Sequence, residues 1–510
     1  MRNLKLFPLL SLLALGACTL GPDYAGPPAA LPLPEEGAGF VRAGDAPVTA
    51  EPPLAQWWES LEDPMLAELE RQALVASPDI AAAEARLRQA RAVLRIDQAD
   101  DLPTVSASGT YLHARLPGFD LDSAEAGEGT DGSTGNGGAG GTSATDFYNL
   151  GFMASWEADL FGGRRRSVEA ARASLDAAEA SLADTQVSLT AAVAQAYVSL
   201  RGLQQRIAYA REGNALQRRE LELMRQRFAQ GTVSQIEVEQ LAAQIENSTA
   251  GTVPLGAEAE GYANALAVLT GQAPGALDAA LIADAPIPLP PASVAIGDPA
   301  SLLRRRPDIR AAERRLAEST ARIGVAEAAR FPHLNFLGIL GIGGTDPTDL
   351  TRLDDFAALA APMLQWTLLD FGRGEAQVTQ AEGARDEALA QYRAAVLGAL
   401  RDAEDALSRF RYRRQTIASL ARAEQSTART AGLMRQRYEA GTTTLIEVLE
   451  AERGHIDAQE NLATAKASLT GDYVALHKAL GLGWESTGRF SPARIGTDDG
   501  PQSRVEDSGR

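Results

Sequence analysis

Side chains that could perform chemistry are few and scattered in this chain of 510 residues. It has one cysteine, Cys18, and four histidines, which share no metal-ligand spacing: His113, His333, His455 and His477. A metal site would have to be assembled wholly by the fold, because no sequence motif builds one. The chain also has no serine nucleophile elbow and no phosphate-binding GxxxxGK[ST] motif. We therefore expect no enzymatic activity, no catalytic residue, no metal and no dissociable cofactor.

Charge and composition exclude two further classes of protein. The chain has 48 Lys and Arg against 67 Asp and Glu, a formal net charge of −19. So acidic a chain binds nucleic acid poorly, and we expect no nucleic-acid partner. Hydrophobic residues make up 45% of it and aromatic residues 5%, which is typical of a folded chain rich in small aliphatic side chains and not of a disordered one.

Two carboxylates have a spacing that suits ion binding. Glu447 and Glu450 lie three residues apart in a predicted helix, so their side chains share one face. In an assembly of three copies they would form two stacked rings of carboxylates that attract cations. The alternative is that both are surface charges on a coiled coil.

The first residues form a targeting segment. Arg2 and Lys5 are basic, residues 4–15 are mostly apolar, and small residues precede Cys18. This pattern resembles a bacterial lipoprotein signal, which is cleaved before the cysteine that then carries lipid. The alternative is an ordinary secretory signal with an incidental cysteine. Thr19, in place of an aspartate after the cysteine, favours the outer membrane.

An internal repeat organises the remainder. Residues 78–87 match residues 307–316 at eight of ten positions, with an offset of 229. Residues 224–228 match residues 434–438, and Trp156 matches Trp366, with an offset of 210. The first half therefore carries 19 extra residues between Pro103 and Trp156. The chain is predicted to be a tandem duplication with one enlarged loop.

That loop and its flanks predict a β-hairpin in each half. Residues 117–146 contain a Gly-rich tract with little to bury, so we expect an exposed loop; its GxGxxG lacks the strand and helix of a nucleotide site. Residues 104–111 and 148–156 alternate in polarity with period two, which predicts strands. The corresponding pair in the second half spans about 334–343 and 356–367.

Long helices are predicted after each hairpin. Prolines are absent between Pro117 and Pro254 and between Pro362 and Pro492. Apolar residues recur there every seven positions, at Leu175, Leu182, Leu189, Ala196 and Leu203, and at Leu389, Val396, Ala403, Phe410 and Ile417. The run 164–229 alone would form a helix about 100 Å long. Breaks at Gly231 and Gly441 precede second helices over 235–270 and 445–480, giving two helical hairpins with tips at these glycines.

These elements predict a mostly α protein with a small β part. Four strands per protomer cannot close a barrel, and a sheet edge in lipid would leave backbone groups unpaired. Three copies would supply twelve strands. We therefore expect a trimeric outer-membrane β-barrel continued by a long periplasmic α-helical barrel.

The predicted domain organisation follows from these boundaries. Its parts are a signal peptide (1–17), a lipid-anchored Pro-rich segment (18–56), a first repeat (57–275; strand hairpin about 104–160, helical hairpin about 164–270), a Pro-rich connection (276–300), a second repeat (301–483; strand hairpin about 334–368, helical hairpin about 372–481) and a polar, disordered tail (484–510).

Several short motifs together resemble one family. They are residues 18–28, Trp57-Trp58, Asp63-Pro64, the two Pro-Asp-Ile helix starts, Leu160-Phe161-Gly162 and Asp370-Phe371-Gly372. The chain resembles the TolC family of outer-membrane efflux proteins, in its lipoprotein (OprM-like) branch. The resemblance implies a homotrimeric channel-tunnel that exports small molecules. Its implied partners are outer-membrane lipid, a periplasmic adaptor (membrane fusion protein) and an inner-membrane RND pump.

The resemblance also implies roles for residues near the two tips. The adaptor contact would transfer to Gly231, Thr232, Val233, Ser234, Gly441, Thr442, Thr443 and Thr444, and the periplasmic gate to Glu237, Tyr438, Glu447 and Glu450. Thr443 departs from the family pattern, because some members have a basic residue at that position. A closing link through this side chain is therefore in doubt.

Alternatives remain open at this stage. One is the exit duct of an ATP-driven type I protein secretion system, whose usual members lack the lipoprotein cysteine. Another is a structural coiled-coil lipoprotein without a pore. The basic runs 164–166 and 304–306 are either docking patches or solvated charge at helix ends, and we favour the second interpretation.

Overall fold

The computed structural model describes residues 19–27, 39–44, 47–117, 142–283, 285–352 and 356–484. The predicted signal peptide, the predicted lipidation residue Cys18, the Gly-rich tract 118–141 and residues 485–510 of the predicted tail lie outside the described residues.

The chain is mostly helical, with a small sheet. The helices are α1 (Pro64–Ala76), α2 (Pro78–Ala99), α3 (Gly163–Ala229), α4 (Gln235–Leu269), α5 (Asp278–Leu281), α6 (Pro299–Arg305), α7 (Pro307–Ala328), α8 (Arg373–Glu439) and α9 (Leu445–Ala479). The strands are β1 (Val48–Thr49), β2 (Thr104–Pro117), β3 (Thr142–Ala158), β4 (Val294–Ala295), β5 (His333–Gly344) and β6 (Phe356–Gln365). Short 3-10 helices cover Trp57–Leu61 and Pro347–Thr351.

The two halves place their main elements in the same order, and three pairs of helices have equal lengths. Helices α3 and α8 have 67 residues each, and α4 and α9 have 35 residues each. Helices α2 and α7 have 22 residues each and begin at the proline of a Pro-Asp-Ile motif, where the missing N–H costs no hydrogen bond. Pro254 lies inside α4 and the helix continues through it, within the predicted span 235–270.

The larger sheet is antiparallel, with strand order β2-β3-β5-β6. Its register pairs Thr104 with Ser155, Ala158 with Leu334, and His333 with Gln365. The strand ends that connect to the helices therefore all lie at the same end of the sheet. Strand β3 begins at Thr142, which makes the predicted loop 117–146 shorter at its C-terminal end. Strands β2 and β6 are the outer strands, and each has one side without a strand partner in the described part of the chain.

The described residues fall into two compact units, which do not coincide with the two repeats. One comprises the described residues within 1–37, 81–182 and 303–401 and contains the four-stranded sheet. The other comprises the described residues within 38–80, 183–302 and 402–510 and contains both helical tips and the short parallel pair β1-β4. Each unit draws segments from both halves of the sequence.

In the sheet-containing unit, the N-terminal segment 19–24 packs on the first strand–helix junction. Arg166 is 3% exposed, and its guanidinium donates to the carbonyl oxygens of Leu20 (3.0 Å) and Gly21 (3.1 Å). It also forms ion pairs with Asp23 (2.6 Å) and Glu169 (2.7 Å). The interpretation of residues 164–166 as solvated charge is therefore wrong for Arg166, whose charge is paired inside the protein.

A similar correction applies to the second basic run. Arg306 is 9% exposed and forms an ion pair with Asp308, with Nη2 2.7 Å from Oδ2. It precedes the first residue of α7, so the pair lies at the helix N-terminus, where a carboxylate also interacts favourably with the helix dipole. Arg306 is thus a structural residue of its own chain.

In the unit with the tips, an aromatic cluster joins the 3-10 helix Trp57–Leu61 to α9. Trp57 is 1% exposed and lies edge-on to Tyr473, with ring centroids 6.0 Å apart, and against His477 at 5.2 Å. The hydroxyls of Ser60 and Tyr473 are 2.6 Å apart. The Gly483 amide donates to the Ala55 carbonyl oxygen (3.0 Å). These contacts fix α9 against the segment that precedes α1.

Among the described residues, no helix combines the length and the apolar character needed to cross a lipid bilayer.

Candidate functional site at the helical tips

Both long helices end in the same backbone motif. At the first tip the Gly231 amide donates to the Phe228 carbonyl oxygen (2.9 Å) and the Thr232 amide to the Arg227 carbonyl oxygen (3.0 Å). At the second tip the Gly441 and Thr442 amides make the corresponding bonds to Tyr438 and Arg437, both 2.9 Å. This is the Schellman arrangement, which satisfies the last carbonyl groups of a helix. It requires a left-handed residue, and the two glycines have φ of +75° and +74°.

The helices that follow begin with matching capping boxes. Ser234 caps α4: its amide donates to Glu237 Oε2 (2.8 Å), and the Glu237 amide donates to Ser234 Oγ (3.3 Å). Thr444 and Glu447 form the same pair of bonds at the start of α9, at 2.8 and 3.3 Å. Each tip is therefore a compact turn whose backbone groups are bonded by its own side chains.

The tips differ at the position before the N-cap residue. Thr443 donates a hydroxyl hydrogen bond to the Glu447 carboxylate, whereas Val233 at the corresponding position of the first tip has no donor. The Thr443 hydroxyl, followed by the amide and the hydroxyl of Thr444, lowers the pKa of Glu447 to about 2. Glu447 is thus held ionised at the start of α9, where the helix dipole favours negative charge.

The gate residues expected from the family resemblance are exposed or half-buried. Glu447 and Glu450 are exposed and lie in the first turns of α9. Glu237 is half-buried, and its carboxylate bonds to Ser234 in its own turn. Tyr438 is half-buried, with the guanidinium carbon of Arg227 5.0 Å from its ring centroid. A cation–π contact therefore joins the last turns of α3 and α8.

An apolar cluster packs the two hairpins together just behind the tips. It contains Leu221 and Met224 of α3, Val238, Leu241 and Ile245 of α4, and Leu449 of α9, with Ala242 and Leu445 packed against it. Met224 and Ile245 are each 2% exposed. The tips therefore stand on a packed apolar base.

The sequence did not indicate a buried ionic cluster farther from the tips. Glu220 of α3 and Glu452 of α9 are 7% and 5% exposed, and Arg435 of α8 forms an ion pair with Glu452. Burial, with repulsion from Glu452, raises the pKa of Glu220 to about 8, although Arg435 opposes the rise. One guanidinium cannot neutralise two buried carboxylates, so Glu220 holds a proton near neutral pH.

In the part of the chain that the structure describes, no group of three or more His, Cys, Asp or Glu side chains could hold a metal ion. All four histidines have nearby partners. His113 lies 2.8 Å from Asp146, His333 lies 2.8 Å from Glu157, His455 lies 3.9 Å from Glu424, and His477 packs against Trp57.

Comparisons with known proteins agree with this architecture. Residues 69–272 and 299–482 match the outer membrane efflux protein family. The pyoverdine export outer membrane protein OpmQ of Pseudomonas aeruginosa is 32% identical over 489 residues, covering 95% of this chain and 98% of OpmQ. The toluene efflux pump outer membrane protein TtgC of Pseudomonas putida is 30% identical over 488 residues, covering 93% of this chain and 95% of TtgC.

Solved structures show the same fold. The outer-membrane channel OprN superposes with a TM-score of 0.80 at 33% identity and covers 91% of this chain and 99% of its own. The open state of the MtrE outer membrane channel of Neisseria gonorrhoeae gives a TM-score of 0.76 at 25% identity, covering 91% and 98%. The sequence-based assignment to the TolC family is thereby confirmed. The chain belongs to the outer membrane efflux protein family and is an efflux channel of the cell outer membrane.

Proposed function

We propose that three copies of this chain form one continuous conduit, a twelve-stranded barrel in the outer membrane continued by a helical tunnel. The observation that carries the proposal is the four-stranded sheet with two outer strands. An open edge in lipid leaves N–H and C=O groups without partners, which costs several kcal/mol for each group. Copies joined through β2 and β6 would remove every open edge. The equal lengths of the long helices in the two halves further support a tandem duplication that doubles the number of strands in each copy.

The conduit passively conducts small molecules that arrive from an inner-membrane pump through a periplasmic adaptor. OpmQ and TtgC are named for the export of pyoverdine and toluene, which supports a small-molecule cargo here. The adaptor contacts the turns 231–234 and 441–444, whose backbone is bonded internally and whose residues are mostly exposed. The pump is of the proton-driven RND class. Co-purification of the chain with an adaptor from its own cell tests this assignment, and capture of an ATP-driven protein exporter instead would contradict it.

The mouth of the tunnel carries the two carboxylate rings of Glu447 and Glu450, with Tyr438 and Glu237 holding the hairpins together. A double substitution Glu447→Gln and Glu450→Gln tests the rings, because glutamine still completes a capping box while removing the charge. In planar bilayers the pair should lower cation preference and weaken block by multivalent cations. Unaltered selectivity together with unaltered block would contradict a lumenal position of these side chains.

A lipid on Cys18 anchors each copy. Thr19, the next residue, packs at the first strand–helix junction, where a Cβ on Gly162 would lie 2.7 Å from Thr19 Cγ2. Cys18→Ser should abolish incorporation of labelled fatty acid while the protein still assembles. Continued labelling of the variant would refute the anchor at this residue.

A further inference from the structure

A polar cavity lies between α3, α4 and α9, in the unit with the tips. Its volume of about 550 Å³ is within the range of ligand-binding pockets, which is about 300–1,000 Å³. Gly213 of α3 and Ile456 of α9 both line it, and a Cβ on Gly213 would lie 2.5 Å from Ile456 Cδ1. The two helices are therefore in close contact at the cavity, which is built by one chain and needs no second copy.

Four amide side chains line the cavity: Gln217 of α3 and Gln240, Gln244 and Asn247 of α4. The three on α4 are spaced i, i+4 and i+7, so they share one face of the helix. An amide side chain carries N–H donors and a C=O acceptor, which are the same groups that a peptide bond presents. A wall of amides can therefore bond both the N–H and the C=O groups of a peptide backbone.

Gln217 has an acceptor that its own chain leaves unused. Its side chain is 7% exposed, and among the described residues its Oε1 atom has no hydrogen-bond partner. Leaving a buried acceptor unpaired is costly, so a ligand N–H that reaches this atom is strongly favoured. The equivalent residue of the second repeat is Thr427, whose hydroxyl lies 3.5 Å from His455 Nδ1. The second half thus places a different contact at this position.

Charged side chains of α9 complete the wall. Arg453, Asp457 and Glu460 line the cavity, and their i, i+4, i+7 spacing places them on one helix face. The rise from Arg453 to Glu460 is about 10 Å, since each helical residue advances about 1.5 Å. Burial raises the pKa of Glu460; Arg206 opposes the rise and Asp457 adds to it. The wall therefore offers positive charge at one end and excess negative charge at the other.

We propose that this cavity binds a short peptide of about three residues with free termini, its carboxylate on Arg453 and its ammonium on Glu460 and Asp457. An extended tripeptide spans about 10 Å, which matches the rise between the charged residues. Gln217 and the α4 amides bond the peptide groups between the two termini. A ligand with only one sign of charge would leave one end of the wall unpaired. The inference holds or fails independently of the proposed conduit, because one chain builds the site.

Isothermal titration calorimetry of the full-length protein in detergent tests the site. The probes are tri-alanine, N-acetyl-tri-alanine, which lacks the ammonium, and tri-alanine amide, which lacks the carboxylate. Tri-alanine should bind saturably to each chain, and each blocked peptide should bind about tenfold more weakly, since it loses charge-assisted hydrogen bonds. Absence of saturable tri-alanine binding, or equal affinity for all the probes, would overturn the proposal.

Charge-removing variants assign the two ends of the peptide. Arg453→Gln should weaken binding of tri-alanine by about tenfold and leave binding of tri-alanine amide unchanged, because that probe has no carboxylate to lose. Glu460→Gln should weaken binding of tri-alanine and leave binding of N-acetyl-tri-alanine unchanged. If each variant weakens all the probes by the same factor, the peptide does not lie with its termini on these residues.

The buried amide has a matched control at the equivalent repeat position. Gln217→Leu removes the unused acceptor and should weaken tri-alanine binding by about tenfold, whereas Thr427→Leu should leave it unchanged. Equal affinities of the two variants, at unfolding temperatures like that of the natural chain, would contradict the role of Gln217. Putrescine, a diammonium cation without a carboxylate, represents the competing class of ligand. If it binds more tightly than tri-alanine, the cavity is a cation site and the peptide assignment is wrong.

Discussion

The first half of the chain covers its strand–helix junction from within, whereas the second half leaves the equivalent junction open. Arg166 and the segment 19–24 seal the first junction. The residue equivalent to Arg166 is Ala376, and Gly372 has no neighbour within 4 Å of a Cβ built on it. The N-terminal segment occurs once in the chain and so can cover one junction only. A duplicated sequence therefore does not guarantee a duplicated environment.

The helical tips teach the opposite lesson. Their turns repeat bond for bond, because both the Schellman motif and the capping box are encoded by residues within the turn itself. The ionic cluster behind them does not repeat, since the positions equivalent to Glu220 and Glu452 are Thr430 and Ala242. Local motifs survive duplication, and contacts between distant segments are made separately in each half.

The largest expected effect is that of replacing Arg166, which seals the first strand–helix junction and has no counterpart at the second. Arg166→Ala removes charged donors from the Leu20 and Gly21 carbonyl groups and should lower the free energy of unfolding by about 3 kcal/mol. Chemical denaturation in detergent measures this, and limited proteolysis should release residues 19–27 first. Arg165→Ala is the control, because its ion pair with Asp159 is more exposed. Equal losses in the two variants would contradict the special role of Arg166.

The next largest effect is on the pH dependence of stability, and it comes from the buried cluster of Glu220, Glu452 and Arg435. The folded protein holds a proton on Glu220 up to a pKa of about 8, whereas the unfolded chain releases it near 4.5. Between these values the folded state binds more protons, so stability should fall as pH rises from about 5 to about 8. Glu220→Gln should remove most of this fall, because glutamine binds no proton in either state.

Denaturation midpoints at several pH values measure the effect of Glu220→Gln. Glu222→Gln is the matched control, because Glu222 lies on the same helix and is exposed. An unchanged pH dependence in the Glu220 variant, or an equal change in the control, would show that the cluster does not couple proton binding to stability.

Replacing each tip glycine by alanine tests whether the two turns have the same stability cost. Both glycines have left-handed φ, and a Cβ at either would meet no atom within 4 Å. The cost is therefore backbone strain alone, about 1 kcal/mol for Gly231→Ala and the same for Gly441→Ala. Urea titration of each single variant checks the equality. If one substitution lowers the free energy of unfolding more than twice as much as the other, the two turns do not contribute equally to stability.

The smallest effect concerns Thr443, whose counterpart in the first tip is Val233. Thr443→Val introduces the residue found in the first tip and removes the hydroxyl that donates to Glu447. The pKa of Glu447 should then rise from about 2 toward its ordinary value, while the Thr444 bonds hold it below that value. Carboxyl-selective NMR titration of a labelled protein measures the shift. Thr443→Ser keeps the hydroxyl and should leave the pKa low.

The sequence predicted the local elements accurately because their signals are local. The start of α3 was placed one residue late, and both tips were placed at the correct glycines, since proline spacing, heptads and glycine breaks act over a few residues. The middle seam positions are buried as expected, at Leu189, Ala196 and Leu203 and at Val396, Ala403 and Phe410. Strand β3 began earlier than predicted because backbone pairing with β2 extends it beyond the alternating residues.

What the sequence did not reveal are contacts between segments far apart in the chain. Arg166 lies in a run of three arginines that is typical of solvated charge, and only its meeting with residues 20–23 distinguishes it. Glu220 is one of many helical glutamates, and its burial depends on α9, more than 200 residues away. No periodicity identifies such partners, because they are brought together by packing and not by spacing.

The contact of Trp57 and Ser60 with Tyr473 constrains the order in which the chain folds. Ser60 and Tyr473 are 413 residues apart, so their contact cannot form before nearly the whole chain has emerged from the ribosome and crossed the inner membrane. Closing so long a loop is entropically costly and makes this step late and slow. Until then α9 cannot dock on the segment that precedes α1, and apolar surface stays uncovered. The aromatic cluster thus places the docking of α9 among the last steps of folding.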